Sequence, residues 1–161
     1  MESIKEIYDN YAKLVYHYMF SITRDKELSE EIMQETFVIA INQINKFRGD
    51  CKISVWLCQI AKNVLYKETH KNKIKTISIE ELELFDDNNL EDTVIENEQK
   101  RRLYKAIDKL DTSTREVMYL RLEGNMAFKE IGKILNKTEN WVRVTFFRGK
   151  QKINGEVINN E

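Results

Sequence analysis

The sequence predicts an all-α protein built from two small helical domains that a flexible acidic linker joins. Proline is absent from the 161 residues and glycine occurs only five times. Apolar residues recur at helical spacing on both sides of a single interruption, which favours bundled helices over sheets. Charge also changes abruptly along the chain. These three observations divide the sequence at the interruption.

The charge distribution gives the domain limits. Residues 1–71 carry ten basic and ten acidic residues, residues 72–98 carry two and nine, and residues 99–161 carry fourteen and eight. We therefore predict domains over 1–72 and 99–161, with a linker over 73–98. A basic domain after an acidic connector favours binding to nucleic acid, although an ordinary solvated charge pattern is the alternative.

Three helices are predicted in the first domain. Ser3 and Glu6 have capping-box spacing, so the first helix begins near Ser3. Its apolar stripe comprises Ile4, Ile7, Tyr8, Tyr11, Leu14, Val15, Tyr18, Met19 and Ile22. The second helix covers about 26–45, with Leu28, Ile32, Ile39 and Ile41 among its apolar positions. A turn around Phe47 to Asp50 precedes the third helix, which covers about 54–71.

Four helices are predicted in the second domain. The first covers about 97–110 and turns Leu103, Ile107 and Leu110 inward. Ser113 and Glu116 form another capping-box pattern, which predicts a helix that ends at Gly124. Two short helices over 128–135 and 139–153, joined by residues 136–138, match the helix-turn-helix pattern.

The last helix has two contrasting faces. Val142, Phe146, Gly149 and Ile153 share one face, which predicts core packing with another backbone close to Gly149. The opposite face carries Arg143, Val144, Phe147 and Arg148, with Thr145 and Lys150 beside it. Apolar groups among arginines suit the major groove, where they meet thymine methyls, guanine edges and phosphates. A charged surface helix with scattered apolar residues is the bland alternative.

The third helix has a second stripe beside its core side. Ile53, Leu57, Ile60, Ala61 and Val64 form the predicted core side, and Trp56, Gln59, Asn63, Tyr66, Lys67 and His70 form the second stripe. Aromatic, amide and basic groups at this spacing suit an unpaired strand, whose bases stack on rings. The residues alone leave even odds that Trp56 is merely a core edge. The preceding turn adds Phe47, Arg48 and Gly49.

The second helix carries an acidic strip of Glu27, Glu30, Glu31, Gln34 and Glu35. This strip would repel DNA, so it faces either solvent or a basic protein partner. From the residues alone, solvent is the favoured interpretation.

Several functional classes are excluded. Cys51 and Cys58 on one helix would lie roughly 10 Å apart, too far for a disulfide, so we expect reduced thiols in a cytoplasmic protein. The two cysteines and two histidines lack zinc-site spacing. No transmembrane run, secretory signal, nucleophile–base pair or phosphate loop is present, so we expect no cofactor, metal or catalysis.

Two stretches of the chain together resemble the bacterial sigma factors of RNA polymerase, in the small extracytoplasmic-function group. The first runs over 31–63 and holds QETF, FRG, WL and IA-x-N in order; the second runs over 110–153 and holds REV before the helix-turn-helix. The resemblance covers nearly the whole chain. It implies a two-domain transcription initiation factor whose partners are core RNA polymerase, promoter DNA and an anti-sigma factor, which is often membrane-bound.

The resemblance also implies roles for named residues. Residues expected to dock on the clamp helices of the polymerase are Glu31, Gln34, Glu35 and Phe37. Those expected to capture the opened −10 element are Phe47, Arg48, Gly49, Asp50, Trp56, Asn63 and Lys67. Those expected to read the duplex −35 element are Arg143, Val144, Phe147, Arg148 and Lys150.

Some positions depart from the family pattern. Asp111, Thr112 and Ser113 stand where prolines are common, Trp141 replaces a small residue, and Val144 and Thr145 replace polar or basic ones. The fold expectation is unaffected, but the promoter sequence stays open. Two other functions compete: a free-standing DNA-binding regulator with a helical sensor half, and a helical protein-interaction module.

The linker length adds a geometric expectation. About 26 residues of free coil span ~28 Å, whereas two turns of duplex, the family's spacing between promoter elements, measure ~70 Å. Free protein should therefore rarely hold both elements. We further expect the full-length chain to bind promoter duplex more weakly than residues 99–161 alone.

Overall fold

The part of the first half that the structure describes folds into three α-helices. The structure, a computed structural model, describes residues 3–71 and 98–159. Helix α1 spans Ile4–Thr23, α2 spans Lys26–Gln43 and α3 spans Ile53–Lys71, with a 3₁₀ turn over Ile44–Lys46. The sequence-based limits agree with these to within about two residues, except that the last turn of α2 tightens into the 3₁₀ form.

Residues 98–159, the described part of the second half, form four α-helices. Helix α4 spans Glu98–Asp108, α5 spans Thr112–Leu122, α6 spans Phe128–Leu135 and α7 spans Glu139–Asn159. The predicted linker lies, apart from Glu98, outside the described residues, so its flexibility stays a prediction. None of the helices in the described ranges has the length and apolarity required to cross a bilayer.

The helix starts show which caps the sequence identified correctly. Ser3 accepts from the Glu6 backbone and Glu6 from that of Ser3, which confirms the first capping box. The second is wrong: Asp111, not Ser113, caps α5, and its carboxylate accepts from the Thr114 backbone at 3.3 Å and the Thr114 hydroxyl at 2.6 Å. Glu116 is instead buried, at 5% exposure.

The core side of α3 is the predicted one. Leu57, Ile60, Ala61 and Val64 are buried there, while Ile53 packs partly buried against them. The stripe of α1 is buried towards its C-terminal end but open at the other end, where Ile4 and Tyr8 are 45% and 43% exposed. On α2, Ile41 is 44% exposed. The inner positions of α2 include Met33, Phe37 and Ala40.

The two halves lie directly against each other. Helix α1 packs on α5, α3 packs on α6, and buried residues from both halves form one continuous cluster. Side-chain hydrogen bonds cross the boundary, as between Tyr18 and Glu116. The sequence predicted two domains but not this contact between them.

Candidate nucleic-acid interface

The turn of the helix-turn-helix depends on one residue with a left-handed backbone conformation and on one hydroxyl group that caps the next helix. Asn136 ends α6 with φ 57°, and the Lys137 N–H donates to the Gly132 carbonyl oxygen at 2.9 Å. The Thr138 hydroxyl then accepts the Trp141 N–H at 3.1 Å and starts α7. Asparagine tolerates this conformation and threonine caps helices well, so the local sequence encodes the turn.

The inner face of α7 is the one that the helical spacing predicted. Val142, Phe146 and Ile153 are buried. A Cβ atom at Gly149 would lie 2.8 Å from Thr114 Cγ2 and 3.1 Å from Met118 Sδ. The predicted close approach is therefore confirmed, but its partner is wrong. Two side chains of α5, rather than a backbone, fill the space that Gly149 leaves.

The outer face of α7 presents cations and apolar groups to solvent. Arg143, Val144, Phe147, Arg148 and Lys150 are all exposed, with Phe147 at 49%. The Phe147 ring contacts Phe146 and Phe128 at centroid distances of 5.7 and 6.3 Å. Arg143 pairs with Glu139 at 3.2 Å. The face therefore offers positive charge for phosphates beside apolar contacts for a groove floor.

The aromatic pair at the start of α3 is the centre of a second candidate surface. The rings of Phe47 and Trp56 lie 4.8 Å apart between centroids, and both side chains are partly buried. Asn63 and Lys67 lie further along α3 and are exposed. The exposed loop residues Arg48, Gly49 and Asp50 precede the helix, and Gly49 takes φ 77°, which disfavours other residues.

This second surface continues along α3 with further aromatic groups. Tyr66 is 64% exposed, and its ring lies 4.1 Å from the His70 ring. Together with Trp56, Asn63 and Lys67, these rings run along the stripe that the sequence identified. Stacking platforms interleaved with cations are the features by which proteins hold unpaired strands.

The sequence analysis did not predict the ion pair between Lys52, in the loop before α3, and Glu130. Lys52 Nζ lies 3.6 Å from Glu130 Oε1, so the loop before α3 touches the first helix of the helix-turn-helix. Glu130 Oε1 also accepts the Ala127 N–H at 2.8 Å and thereby caps α6. No local pattern marks this pair, because its members lie 78 positions apart.

The acidic strip of α2 forms a third surface. Glu31, Gln34 and Glu35 are exposed, while Phe37 is 5% exposed and meets the Tyr8 ring edge-on at 5.0 Å. Phe37 therefore belongs to the packing between α1 and α2. Val38 continues the strip and is 56% exposed, which the sequence analysis missed. The surface is thus acidic with an apolar end.

The cysteines and histidines form no metal site within residues 3–71 and 98–159. Both cysteines are free thiols, as expected. Burial raises the pKa of the Cys58 thiol to about 12. Burial also raises the pKa of Cys51, although nearby Lys133 opposes the shift. Neither thiol is activated for chemistry.

Family models and curated relatives match both halves of the chain. Residues 7–73 match the model of sigma-70 region 2, and residues 100–153 match that of sigma-70 region 4. The ECF RNA polymerase sigma factor SigM of Bacillus subtilis (strain 168) is 31% identical over 153 residues, which covers 94% of this chain and 93% of SigM. SigX of the same bacterium is 27% identical and covers 92% and 80%.

Two solved structures share the fold. The sigma factor RpoE, solved with the anti-sigma factor NepR from Bartonella quintana, superposes with a TM-score of 0.75 at 14% identity, over 98% of both chains. CnrH, solved with the cytosolic domain of CnrY, gives a TM-score of 0.65 at 18% identity, over 98% of this chain and 89% of CnrH.

Proposed function

The chain belongs to the sigma-70 family, in its extracytoplasmic-function group, and from that membership we propose how its three surfaces act in transcription initiation. As a sigma factor, it binds core RNA polymerase and directs the enzyme to specific promoters. The observation that carries the proposal is that the two family models cover the two helical halves separately. Each half is therefore assigned its own part of the promoter.

We propose that α7 reads the −35 element as duplex. Its outer face carries Arg143, Val144, Phe147, Arg148 and Lys150, all of which are exposed. Arginine can bind guanine edges or phosphates, while valine and phenylalanine can contact thymine methyls. The buried inner face fixes this outer face on the rest of the domain.

The N-terminal half is proposed to capture the −10 element after it opens. Phe47, Arg48, Gly49 and Asp50 form the receiving loop, and Trp56, Asn63 and Lys67 continue the surface along α3. Unstacking a base costs a few kcal/mol, and stacking on an aromatic side chain returns about 1–3 kcal/mol. Captured bases thus shift the equilibrium towards open DNA while the polymerase performs the chemistry.

Docking on the polymerase clamp helices is proposed for the α2 surface. Glu31, Gln34 and Glu35 offer exposed acidic and amide groups, and Val38 offers an apolar contact at the same face. Phe37 is buried, so its role would be to pack beneath this face and hold it in position, with little contact to the partner. Acidic complementarity favours a basic protein partner over DNA.

The remaining parts of the proposal concern setting and control. We propose a cytoplasmic factor that is not an enzyme and requires no cofactor, metal or small-molecule substrate. We also propose that an anti-sigma factor holds it inactive. The similar structures of RpoE and CnrH were each solved with a protein partner of their own, NepR and CnrY.

Run-off transcription with core polymerase on a genomic library tests the function. We expect specific transcripts that depend on the factor, and their start sites will reveal the promoter motif. A free-standing regulator would instead bind duplex DNA without polymerase and would not be retained by immobilised core enzyme. Absence of both core binding and transcripts would refute the proposal.

A further inference from the structure

The turn of the helix-turn-helix places a cation and an aromatic ring next to each other. Lys137 lies in the turn and is exposed, and Trp141 lies in the first turn of α7 and is partly exposed. Lys137 Nζ is 5.1 Å from the centroid of the Trp141 ring, a distance typical of a cation–π contact. The ring therefore holds the ammonium group close to the start of α7.

The backbone beneath both side chains is held in place. The Lys137 N–H donates to the Gly132 carbonyl oxygen at 2.9 Å, and a Cβ atom at Gly132 would lie 2.6 Å from the Lys137 carbonyl oxygen. The Trp141 N–H donates to the Thr138 hydroxyl at 3.1 Å, and the Trp141 ring packs partly against the core. The pair therefore has a defined position relative to α6 and α7.

The polar groups of this pair are not used inside the described part of the chain. Across residues 3–71 and 98–159, the Lys137 ammonium has no carboxylate partner and the Trp141 indole N–H has no acceptor. The neighbouring cation Arg143, by contrast, is paired with Glu139 at 3.2 Å. Ammonium and indole groups donate hydrogen bonds and do not accept them. Two adjacent donors of this kind suit an anion from outside the chain.

The position of the pair on α7 indicates which anion this is. Around the helix axis, Trp141 lies ~60° from Val144 and ~20° from Arg148, so it belongs to the edge of the outer face. Helix-turn-helix proteins place their second helix in the major groove while the first helix crosses the DNA backbone. The turn between the two helices therefore lies where a strand passes the edge of the groove. The anion within reach at that place is a backbone phosphate.

We propose that Lys137 and Trp141 together bind one backbone phosphate beside the −35 element, and that this contact fixes how α7 sits in the groove. The proposal rests on the proposed function, because it places α7 in the major groove of that element. The ammonium group supplies charge, the indole N–H supplies a directed hydrogen bond, and neither senses the base sequence. Phosphate contacts fix the register of a protein on duplex DNA, whereas base contacts specify the sequence. Lys137 and Trp141 are therefore positioning residues for the side chains that read bases.

A salt titration distinguishes a phosphate contact from a base contact. The holoenzyme is titrated with two duplexes, one with the −35 element of a promoter found by run-off transcription and one with that element scrambled. Lys137→Ala should weaken binding to both duplexes by the same factor, about eightfold at about 0.1 M salt, because one neutralised phosphate contributes about −0.9 to the slope of log K against log salt. The slope should fall by that amount. Lys105→Ala removes an equal charge from an exposed position on α4 and should leave the slope unchanged.

Trp141→Phe tests the indole donor. The phenyl ring keeps an aromatic contact for Lys137 but has no N–H. Loss of this hydrogen bond should weaken binding to both duplexes by roughly 2- to 10-fold, while the salt slope stays that of the wild type. Ethylation of single phosphates then locates the contact on the DNA. Neutralising one phosphate at the edge of the −35 element should weaken binding of the wild type and should not weaken binding of Lys137→Ala further.

The outcomes separate this proposal from the proposed function. An affinity and a salt slope of Lys137→Ala equal to those of Lys105→Ala would overturn the phosphate contact. Losses confined to the duplex with the intact −35 element would also overturn it, because they would show base reading. Wild-type binding by Trp141→Phe would overturn the role of the indole. If core polymerase with the wild type starts no transcripts, the proposed function fails instead, and the same titrations with the chain alone at low salt still test the phosphate contact.

Discussion

At the scale of single residues, Gly149 decides how closely α7 packs on α5. An added Cβ would meet Thr114 Cγ2 at 2.8 Å and Met118 Sδ at 3.1 Å. Met118 can adjust, but the short branched side chain of Thr114 has little freedom. The close packing of α7 on α5 therefore requires that residue 149 has no side chain.

Substituting this glycine has a predictable sign. Gly149→Ala gains ~1 kcal/mol of helix propensity but incurs ~1–3 kcal/mol of overpacking, so we expect a net loss of ~1 kcal/mol in unfolding free energy. Gly155→Ala is the control, because nothing lies within 4 Å of its Cβ position. It should stabilise the protein by ~0.5–1 kcal/mol. Urea unfolding of both variants measures the difference, and equal shifts would contradict the packing argument.

Trp56 is the residue on which strand capture depends. Trp56→Ala should weaken binding of a single-stranded −10 oligonucleotide to the holoenzyme by about 5- to 100-fold, the equivalent of one lost stacking contact. Trp56→Phe keeps a ring against Phe47 and should retain most of the affinity. Fluorescence anisotropy with a labelled oligonucleotide measures both. If the alanine variant binds the oligonucleotide as tightly as the wild type, Trp56 only packs at the edge of the core.

The two thiols should differ in reactivity. Only the thiolate attacks iodoacetamide, and a pKa of about 12 leaves the buried Cys58 as the neutral thiol at pH 8. Cys51 is partly exposed, so it should be alkylated slowly in the native protein and Cys58 only after unfolding. Mass spectrometry of digested samples gives the order, which rapid native labelling of Cys58 would contradict.

At the scale of helices, α7 carries the −35 prediction. Arg148→Ala should reduce the affinity of the holoenzyme for −35 duplex by roughly 5- to 100-fold, corresponding to about 1–3 kcal/mol. Lys105→Ala removes an equal charge from an exposed position on α4 and is the control. Filter binding at a fixed salt concentration measures both. Equal effects would show that net charge, rather than this face, holds the DNA.

Helices were predictable from sequence where local chemistry determines them. The limits of α3 and α6 follow from apolar spacing and turn residues within one position. Glu116 shows where this reasoning fails, because its spacing from Ser113 imitates a cap. Its actual partners, Tyr18 and Lys62, are 98 and 54 positions away. A local pattern cannot distinguish a nearby hydrogen bond from a distant one.

The candidate surfaces were likewise predictable from the sequence only in part. The exposed faces of α3 and α7 were predictable because helical periodicity separates inward from outward residues. The burial of Phe37 and the exposure of Val38 depend on how α1 lies across α2. The Lys52–Glu130 pair depends on how the halves meet. Neither arrangement is encoded within a few residues.

At the scale of the whole molecule, the packing of α1 on α5 and of α3 on α6 should couple the stability of the two halves. Each half contains one tryptophan, Trp56 or Trp141. In Trp141→Phe the fluorescence of Trp56 reports on the first half, and in Trp56→Phe the fluorescence of Trp141 reports on the second half. We expect the two variants to give coincident unfolding curves in urea, as cooperative units do. When Glu116→Gln is added to both variants, the unfolding transitions of the two halves should separate. Clearly different midpoints in the parent variants would show that the halves unfold independently.

Helix α5 has a different partner on each of two opposite faces. Thr114 and Met118 face Gly149 of α7, whereas Glu116 points to α1, and residues two positions apart on a helix differ by ~200° in direction. If the contact of α5 with α1 were lost, the contact of α5 with α7 would remain. The C-terminal half would therefore swing away as a rigid block, with its recognition helix already aligned. The shape of the outer face of α7 would then be a property of the C-terminal half alone.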